Sequence, residues 1–428
     1  MSIPESKHNR SSELYLFAIL WPFAVLVYSF HKMKAVWAKN LFWIICSFMA
    51  FIHIYVPKGS ELGEGADIGR YVLDLIDLYE NSFISLPDVI GNVVKPDYYQ
   101  AIITFLVSRF TDEGHILFLV FGIIYGYFYS RNIWIVIDRL PTKIPRYVYV
   151  LIALFFLVCP IWNVGGVRMW TALHVFCYGA LHYFIKGDKF KLVFCYLSTL
   201  VHFSFLFPAL LLAAFIFIPI RLKSSDKILR ISLYLFLFTL FFNILDLKAL
   251  GTIIERIAPS MYESNIEGYL GDEYVERIEN FAETKSLFFR LSQFLNTYVV
   301  SFLIVCTYFL FRKSILNKNK RLKVLFTFSL LFGSFANIAA MAPSGGRFII
   351  ISRMFILPVL ILILSNFKTK QVPDYMRYLT YSLLLPVLLF LRTGAECYGI
   401  NLLIGNFFTA LPMETNISFI YTLKSIFL

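Results

Sequence analysis

Two arginines that each follow a pair of glycines are the residues best suited to chemistry in this chain. Arg168 comes shortly after the pair in "NVGGVRMW", and Arg347 comes directly after the pair in "PSGGRF". Glycine lets backbone N–H groups approach a ligand closely, a helix N-terminus adds positive potential, and a guanidinium donates two parallel hydrogen bonds. We therefore predict that Arg168 with Gly166, and Arg347 with Gly346, bind phosphate oxygens. The alternative at each position is an arginine that reaches toward lipid headgroups or caps neighbouring carbonyls.

Four further side chains have types and positions that suit the same chemistry. Arg353 lies further into the helix that the second arginine opens and is predicted to support the same anion. His202 is the first candidate for a general base on a hydroxyl group, because a neutral imidazole can accept a proton. A histidine bonded within a helix turn is the alternative there. Asp67 is the second candidate for the base, and Tyr71, on the same face if this segment is helical, is predicted to contact substrate.

The other polar residues form no pattern typical of a metal or cofactor site. Asp97 begins the apolar run "YYQAIITFLVSRF" and is predicted to cap a short helix. The remaining acidic residues near Asp67 are predicted to lie on a solvated face. The six cysteines fall mostly within apolar runs and are predicted to act as small apolar residues. Because no DxD, HExxH or P-loop motif occurs, we predict neither a bound metal nor a cofactor.

The elements that must position these residues are apolar helices. Of the 428 residues, 59% are hydrophobic and only 15% are charged, whereas a soluble domain is about a quarter charged. Apolar runs of about 15 to 25 residues recur along the chain between charged segments, as in multi-pass membrane proteins. The net charge of +12 is attributed to basic loops on the cytoplasmic side and not to nucleic-acid binding. The expected fold is an all-α polytopic membrane protein.

Charge asymmetry predicts the orientation of the chain. Six short polar segments together carry 22 Lys or Arg and four Asp, so the positive-inside rule assigns them to the cytoplasm. Two long segments, of about 58–114 and 248–289, lean acidic and are assigned to the outside as loops. With these assignments Arg168, Arg347 and His202 all fall at the outer ends of predicted helices.

A single helical bundle over 1–428, with about 12 or 13 spans, satisfies this alternation. Residues 192–220 join two cytoplasmic loops and are predicted as two short helices, broken at Pro208 near an outer apex. The run 98–110 is too short to span and is predicted as a re-entrant or interfacial helix. The tail 399–412 is either a last short span or a second interfacial helix. The remaining spans are expected at about 14–30, 40–57, 115–137, 147–162, 168–185, 228–247, 290–311, 324–341, 347–365 and 378–391.

Four stretches carry a family resemblance. They are "GADIGRYVLDL", "KPDYYQAIITFLVSRF" with "ILFLVFGIIYG", "GGVRMWTALHVFCYGALHYFIKGDKFKLVFCYLSTLVHFSFLFPALLL", and "SGGRFIIISRMF". The third is the most specific, because Gly-x-Arg opens a helix, a Lys-rich loop follows, and the next helix ends in His-x-Ser at His202 and Ser204. In this order they resemble the EpsG family of Wzy-like polysaccharide polymerases over about residues 60–350. Met169 departs from the pattern, since family members commonly have Gln there.

The resemblance implies a glycosyltransferase with a GT-C-like helical architecture at the periplasmic face of a bacterial inner membrane. Such polymerases use repeat-unit oligosaccharides linked to undecaprenyl pyrophosphate. They transfer the growing chain to the non-reducing end of a sugar on another carrier and release undecaprenyl pyrophosphate. The expected partners are this lipid-linked oligosaccharide and membrane lipids, with a chain-length regulator and a flippase as further partners and no nucleic acid.

Two other functions remain open. An O-antigen ligase or a polyprenyl-phosphate-sugar-dependent GT-C glycosyltransferase would differ in acceptor or donor, which these residues do not distinguish. A lipid-linked oligosaccharide flippase or another transporter would carry polar residues through the membrane midplane. The unusual charges are instead predicted at one outer face, which favours chemistry over transport.

Overall fold

The chain folds into helices. The computed structural model describes residues 9–54, 67–93, 97–241, 286–316, 318–341, 345–410 and 417–427, and every regular element in these ranges is helical. In chain order the α-helices are α1 (Asn9–Leu20), α2 (Pro22–His31), α3 (Ala38–Phe51), α4 (Asp67–Glu80), α5 (Leu86–Gly91), α6 (Tyr98–Ser108), α7 (Gly114–Ile137), α8 (Arg146–Leu157), α9 (Val167–Leu181), α10 (Val193–Val201), α11 (Leu206–Phe217), α12 (Ile220–Lys223), α13 (Asp226–Leu240), α14 (Leu287–Phe294), α15 (Val300–Phe311), α16 (Lys320–Ala339), α17 (Gly346–Leu364), α18 (Asp374–Ser382), α19 (Leu384–Glu396), α20 (Asn401–Ile404) and α21 (Phe419–Phe427).

Several helices are long and apolar enough to cross a membrane. Within the described ranges there are six such stretches: Gly114–Ile137, Arg146–Lys186, Leu287–Ser314, Lys320–Ala339, Gly346–Leu364 and Asp374–Glu396. Five shorter apolar helices of 10–17 residues accompany them. The chain is therefore an all-α, multi-pass membrane protein, as its composition predicts. A helix needs about 20 residues to cross the apolar core, and the five shorter helices do not reach that length. The total of about 12 or 13 spans therefore stays a prediction.

Most helices lie where the apolar runs predict them, and the differences occur at prolines and short segments. The run 14–30, predicted as one span, forms α1 and α2 with a break at Trp21. Pro22 begins α2 because it has no N–H with which to continue the preceding helix. The run 98–110 contains α6, a helix of 11 residues, which is too short to span. In the tail, the described residues 399–410 contain one helix, α20, of four residues, and the choice between a last span and an interfacial helix stays open.

The two short helices predicted within 192–220 are confirmed, but the predicted break at Pro208 is wrong. Helix α10 ends at Val201, and His202 has extended backbone angles of φ −152° and ψ 120°. A short 3-10 turn, Phe203–Phe205, then leads into α11. Pro208 lies in the first turn of α11. A backbone N–H at that position would have no helix carbonyl four residues earlier to bond to, so its absence in proline does not weaken the helix.

The described helices divide into two compact units. Unit 1 comprises 1–139, 159–210 and 390–428, and unit 2 comprises 140–158 and 211–389. In unit 1, α3 and α9 pack against α7, and α6 contacts α4, α5, α7, α9 and α10. In unit 2, α16 packs against α13 and α17, and α17 also contacts α8 and α15. The single bundle stays a prediction, and most of the predicted outer loop 248–289 lies outside the described residues.

Two glycines one turn apart let α3 and α7 approach closely. A Cβ at Gly126 would lie 2.7 Å from Cβ of Cys46, and one at Gly122 would lie closer still to Cβ of Ala50. All four positions carry small or absent side chains, an arrangement that brings helix backbones together in membranes. Because α7 also supports α6 and α9, this contact fixes the framework on which the candidate site is built.

We expect Gly122→Ala to lower the stability of the protein, because its methyl group would overlap Ala50. Overpacking of this kind costs about 1–3 kcal/mol. The measurement is the midpoint of thermal unfolding of the detergent-solubilised protein. Gly91→Ala is the control, since a Cβ there has no atom within 4 Å. Equal midpoints for the two variants would contradict the proposed close contact.

Candidate active site

Asp97 joins two segments that are far apart in the sequence. Its carboxylate makes no capping hydrogen bond to α6, so the predicted role as a helix cap is wrong. Instead, Oδ2 lies 3.6 Å from Nη1 of Arg168, and Oδ1 accepts a hydrogen bond of 2.5 Å from the backbone N–H of Phe203. Asp97 is only 8% exposed. The carboxylate therefore connects the start of α9 to the turn that follows His202.

Arg168 is the second residue of α9, as the sequence predicts. Its side chain is 33% exposed, and its Nε has no hydrogen-bond partner among the described residues. The phenol of Tyr71 lies beside the guanidinium, but its hydroxyl makes no hydrogen bond of normal geometry within the described chain. Burial raises the pKa of the Tyr71 phenol, and Arg168 opposes that shift only in part. Tyr71 is therefore a neutral neighbour that does not cancel the charge of Arg168.

Gly165 allows Tyr71 to reach Arg168. A Cβ at Gly165 would lie 2.5 Å from Cδ1 of Ile68, in the first turn of α4. A Cβ at Gly166 would instead meet the ring of Trp170 at 2.9 Å. The close approach of α4 to the turn before α9 thus depends on Gly165 more directly than on Gly166, the glycine that the sequence singles out.

A second link connects α9 to the turn at His202. The hydroxyl of Ser204 lies 3.6 Å from Sδ of Met169, the neighbour of Arg168, and 2.8 Å from Nδ1 of His202. The backbone N–H of Ser204 donates to the same Nδ1 at 3.2 Å. Because a backbone N–H can only donate, Nδ1 carries the lone pair, and a neutral ring holds its proton on Nε2. His202 therefore presents its basic nitrogen toward Ser204.

Arg168, Asp97, Tyr71 and the turn at His202 together form the Arg168 cluster, and Asp67 lies at its edge. It is the first residue of α4, and its carboxylate forms an ion pair with Arg70, three residues later. Its side chain is 40% exposed, and it acts electrostatically on Tyr71. Asp67 and His202 are thus both near the Arg168 cluster, and which of them acts as a base stays a prediction.

Helix α6 is held against α4, which keeps Asp97 in place. Near its start, Gln100 Nε2 donates to Asp74 Oδ2 at 3.3 Å. At its end, Arg109 donates to the carbonyl of Ser82 at 2.8 Å and to that of Leu78. Burial raises the pKa of Asp74, and the hydrogen bond from Gln100 opposes the shift. Both ends of α6 are therefore tied to the segment that carries Tyr71.

Arg347 and Arg353, which follow the second glycine pair, lie in unit 2. Arg347 is the second residue of α17, which repeats the position of Arg168, but its side chain is exposed. A Cβ at Gly346 would meet no atom within 4 Å, so the surroundings differ from those of the first glycine pair. Arg353 is only 3% exposed, and its Nη2 donates to the carbonyl of Thr297 at 2.9 Å. Among the described residues, no carboxylate pairs with Arg353 and its Nε has no partner.

An apolar cavity adjoins the turn that accepts this hydrogen bond. The segment Leu295–Val299 is π-helical, a local distortion often found at functional sites. Tyr298 and Val299 of this segment line a cavity of about 600 Å³, together with leucine, phenylalanine and valine side chains of α13, α14, α15 and α18. The cavity could hold a hydrocarbon chain, since its lining is almost wholly apolar.

The comparison with known families decides the assignment of the chain. A family model described as the EpsG family matches residues 44–398. The chain belongs to the EpsG family. No curated protein and no solved structure matches it.

Membership of the EpsG family identifies a protein of polysaccharide biosynthesis with a polymerase-type glycosyltransferase role. The matched range contains every candidate residue described above, in both units. The roles predicted for Arg168, Tyr71 and His202 stay predictions, and sequence reasoning misjudged Asp97, which links Arg168 to the turn after His202. A signal was present in "KPDYYQ", where an acid precedes an apolar run on the predicted outer side.

We expect Asp97→Asn to destabilise this EpsG-family protein, because it removes the charge that faces Arg168. The N–H of Phe203 would also bond to a neutral amide oxygen in place of a carboxylate, a loss of about 1 kcal/mol, since hydrogen bonds to charged groups contribute about 1.5–3 kcal/mol and neutral ones about 1 kcal/mol. Asp97→Ala should cost more, since it also leaves the buried N–H of Phe203 without an acceptor. Thermal unfolding in detergent measures both effects. Asp112→Asn, a change at an exposed acid that follows α6, is the matched control, and an equal shift for all three variants would contradict the role of Asp97.

Proposed function

We propose that this EpsG-family protein is a polysaccharide polymerase at the periplasmic face of a bacterial inner membrane. It transfers a growing glycan from undecaprenyl pyrophosphate to the non-reducing-end hydroxyl of a second lipid-linked repeat unit. A flippase supplies the repeat units, and a chain-length regulator is a further expected partner.

The observation that carries this proposal is the cluster that Asp97 forms with Arg168 and the turn at His202. A transfer from a lipid pyrophosphate needs a cation where negative charge develops on the leaving group. It also needs a group that takes the proton of the attacking hydroxyl. Asp97 and Ser204 link Arg168 and Met169 to the segment 202–204, so a cation and a base lie in one cluster.

In the proposed reaction, the bond between the anomeric carbon and the pyrophosphate oxygen breaks, and a bond from the acceptor oxygen to that carbon forms. Arg168 binds the released pyrophosphate. The hydroxyl of Ser204 accepts the acceptor's proton while donating its own to Nδ1 of His202, the nitrogen that carries the lone pair. Asp67 is the alternative base. Arg168 can exchange Asp97 for pyrophosphate because the contact between them is 3.6 Å long, outside the usual range of a charge-assisted hydrogen bond.

Unit 2 has features of its own that suit a lipid-linked phosphate. Arg353 is a buried cation with no carboxylate partner in the described chain. Burying such a charge in a membrane costs free energy unless an anion neutralises it. The adjoining apolar cavity of about 600 Å³ suits an isoprenoid segment. Within unit 2 we assign a lipid-linked phosphate to Arg347 and Arg353, and its hydrocarbon chain to this cavity.

The alternatives predict different products. An O-antigen ligase, or a glycosyltransferase that uses a polyprenyl-phosphate sugar, would act on another acceptor or donor. A flippase would move the lipid-linked oligosaccharide across the membrane without lengthening it. The cluster of Arg168 with a Ser–His pair favours group transfer, because transport needs no base.

The decisive measurement is an in-vitro reaction of the purified protein with synthetic undecaprenyl-pyrophosphate repeat units. We expect ladders of longer glycans, resolved by gel electrophoresis. Arg168→Lys should lower kcat by about 10²–10³, because lysine cannot provide the guanidinium's two parallel donors at the developing charge. Arg139→Lys is the control, since Arg139 is an exposed arginine that follows α7 and makes none of the contacts described for the site. Movement of unlengthened lipid-linked glycan across liposomes would favour a flippase instead.

The proton relay has a separate test. His202→Ala should lower kcat by about 10²–10⁴, the usual contribution of a general base, and Ser204→Ala should lower it in the same direction. Ser198→Ala is the control, because among the described residues the Ser198 hydroxyl bonds only to the Cys195 carbonyl within α10. A steady-state rate profile against pH should lose its lower limb in His202→Ala. If that limb persists there and disappears in Asp67→Asn, then Asp67 is the base.

A further inference from the structure

Unit 2 contains a second cavity whose lining is partly charged. It has a volume of about 370 Å³ and lies between α13 and the end of α15. Three cations, Arg230, Arg312 and Lys313, line it together with Tyr234 and Tyr308 and with apolar side chains. No acidic residue of the described chain is part of this lining. The cavity therefore combines concentrated positive charge with an apolar wall.

The local contacts leave this positive charge available to a ligand. Nη1 of Arg312 donates to the hydroxyl of Tyr308 at 2.9 Å, which orients the guanidinium without neutralising it. Asp226 acts on Arg312 electrostatically, but its carboxylate pairs with Nζ of Lys323 at 2.6 Å. With Asp226 and Lys323 counted beside the three lining cations, four positive charges face one negative charge, which leaves a net charge of +3.

The apolar wall of the cavity continues onto exposed side chains of α13 and α15. Phe309 is 67% exposed, Leu310 is 44% exposed and Tyr234 is 64% exposed. A free inorganic anion would pair with the cations but leave this wall uncovered. A neutral lipid would cover the wall but leave the cations without an anion. A ligand that satisfies both parts carries a phosphate next to hydrocarbon.

We propose that this cavity binds the phosphate headgroup of an anionic glycerophospholipid. Arg230 and Arg312 contact the phosphate, and an acyl chain lies along Phe309 and Leu310. The basic loop 312–323 assigns this end of unit 2 to the cytoplasm, and clusters of basic residues on that side attract anionic lipids. The site does not depend on the transfer reaction, so its test needs no glycan substrate.

The test uses the full-length protein in nanodiscs that contain phosphatidylglycerol and phosphatidylcholine, and native mass spectrometry counts the retained lipids. We expect Arg230→Gln combined with Arg312→Gln to lower the preference for phosphatidylglycerol by about 10-fold or more. Arg221→Gln combined with Lys227→Gln is the control, because it removes the same charge from exposed residues near the same end that do not line the cavity. The control should change the preference less than the cavity variant does, because its side chains act on anionic lipids only through diffuse surface charge.

Several results would overturn the proposal. Equal losses in the two double variants would indicate diffuse surface charge. Competition by millimolar inorganic phosphate or glycerol phosphate as effective as that by phosphatidylglycerol would indicate a soluble anion. Stronger competition by an acidic peptide would indicate a protein partner.

Arg230→Lys combined with Arg312→Lys should keep the lipid preference, which separates loss of charge from misfolding. Unfolding midpoints in pure phosphatidylcholine nanodiscs confirm that each variant folds, and loss of preference in this Lys variant despite normal folding would contradict a simple charge site.

Discussion

The candidate site of unit 1 depends on one nearly buried carboxylate. Removing an ion from water costs several kcal/mol, so a buried acid must find a cation or several donors. Asp97 has one cation and one hydrogen-bond donor as partners, the guanidinium of Arg168 and the backbone N–H of Phe203. Because neither partner is near Asp97 in the sequence, this carboxylate can be satisfied only when α6, α9 and the turn at His202 come together. The charge thus acts as a constraint on tertiary structure.

Three arginines show how the protein satisfies charge at different sites. Arg168 is paired with an acid and lies beside a neutral phenol. Arg131, within α7, donates to Asn40 at 2.8 Å and lies 4.3 Å from the ring centroid of Tyr127, a combination of amide and cation–π contact. Arg353 bonds to a single backbone carbonyl within the part of the chain that the structure describes. Arg131 is therefore satisfied by the fold itself, whereas Arg168 and Arg353 retain donors that a bound anion can use.

The sequence predicted helices better than it predicted what ends them. Apolar runs determine helix positions because burial in lipid requires apolar length, and α7 and α16 lie where such runs occur. The break at His202 could not be read locally, since it depends on Asp97, more than one hundred residues earlier. Pro208 was the local signal, but a proline is compatible with the first turn of a helix. Asp97 was misjudged for the same reason, because capping is a local rule and its real partners are distant.

The Arg168 site and the cavity lined by Arg230 and Arg312 differ in whether a carboxylate of the protein can compete with the bound anion. A site that releases a pyrophosphate in every cycle must not hold it too tightly, and Asp97 can return to Arg168 as the product leaves. The cavity lined by Arg230 and Arg312 has no acid in its described lining, and the nearby Asp226 already pairs with Lys323. An anion there meets no internal competitor, so it should remain bound for longer. The position of one carboxylate in each unit therefore distinguishes a site suited to turnover from a site suited to a resident lipid.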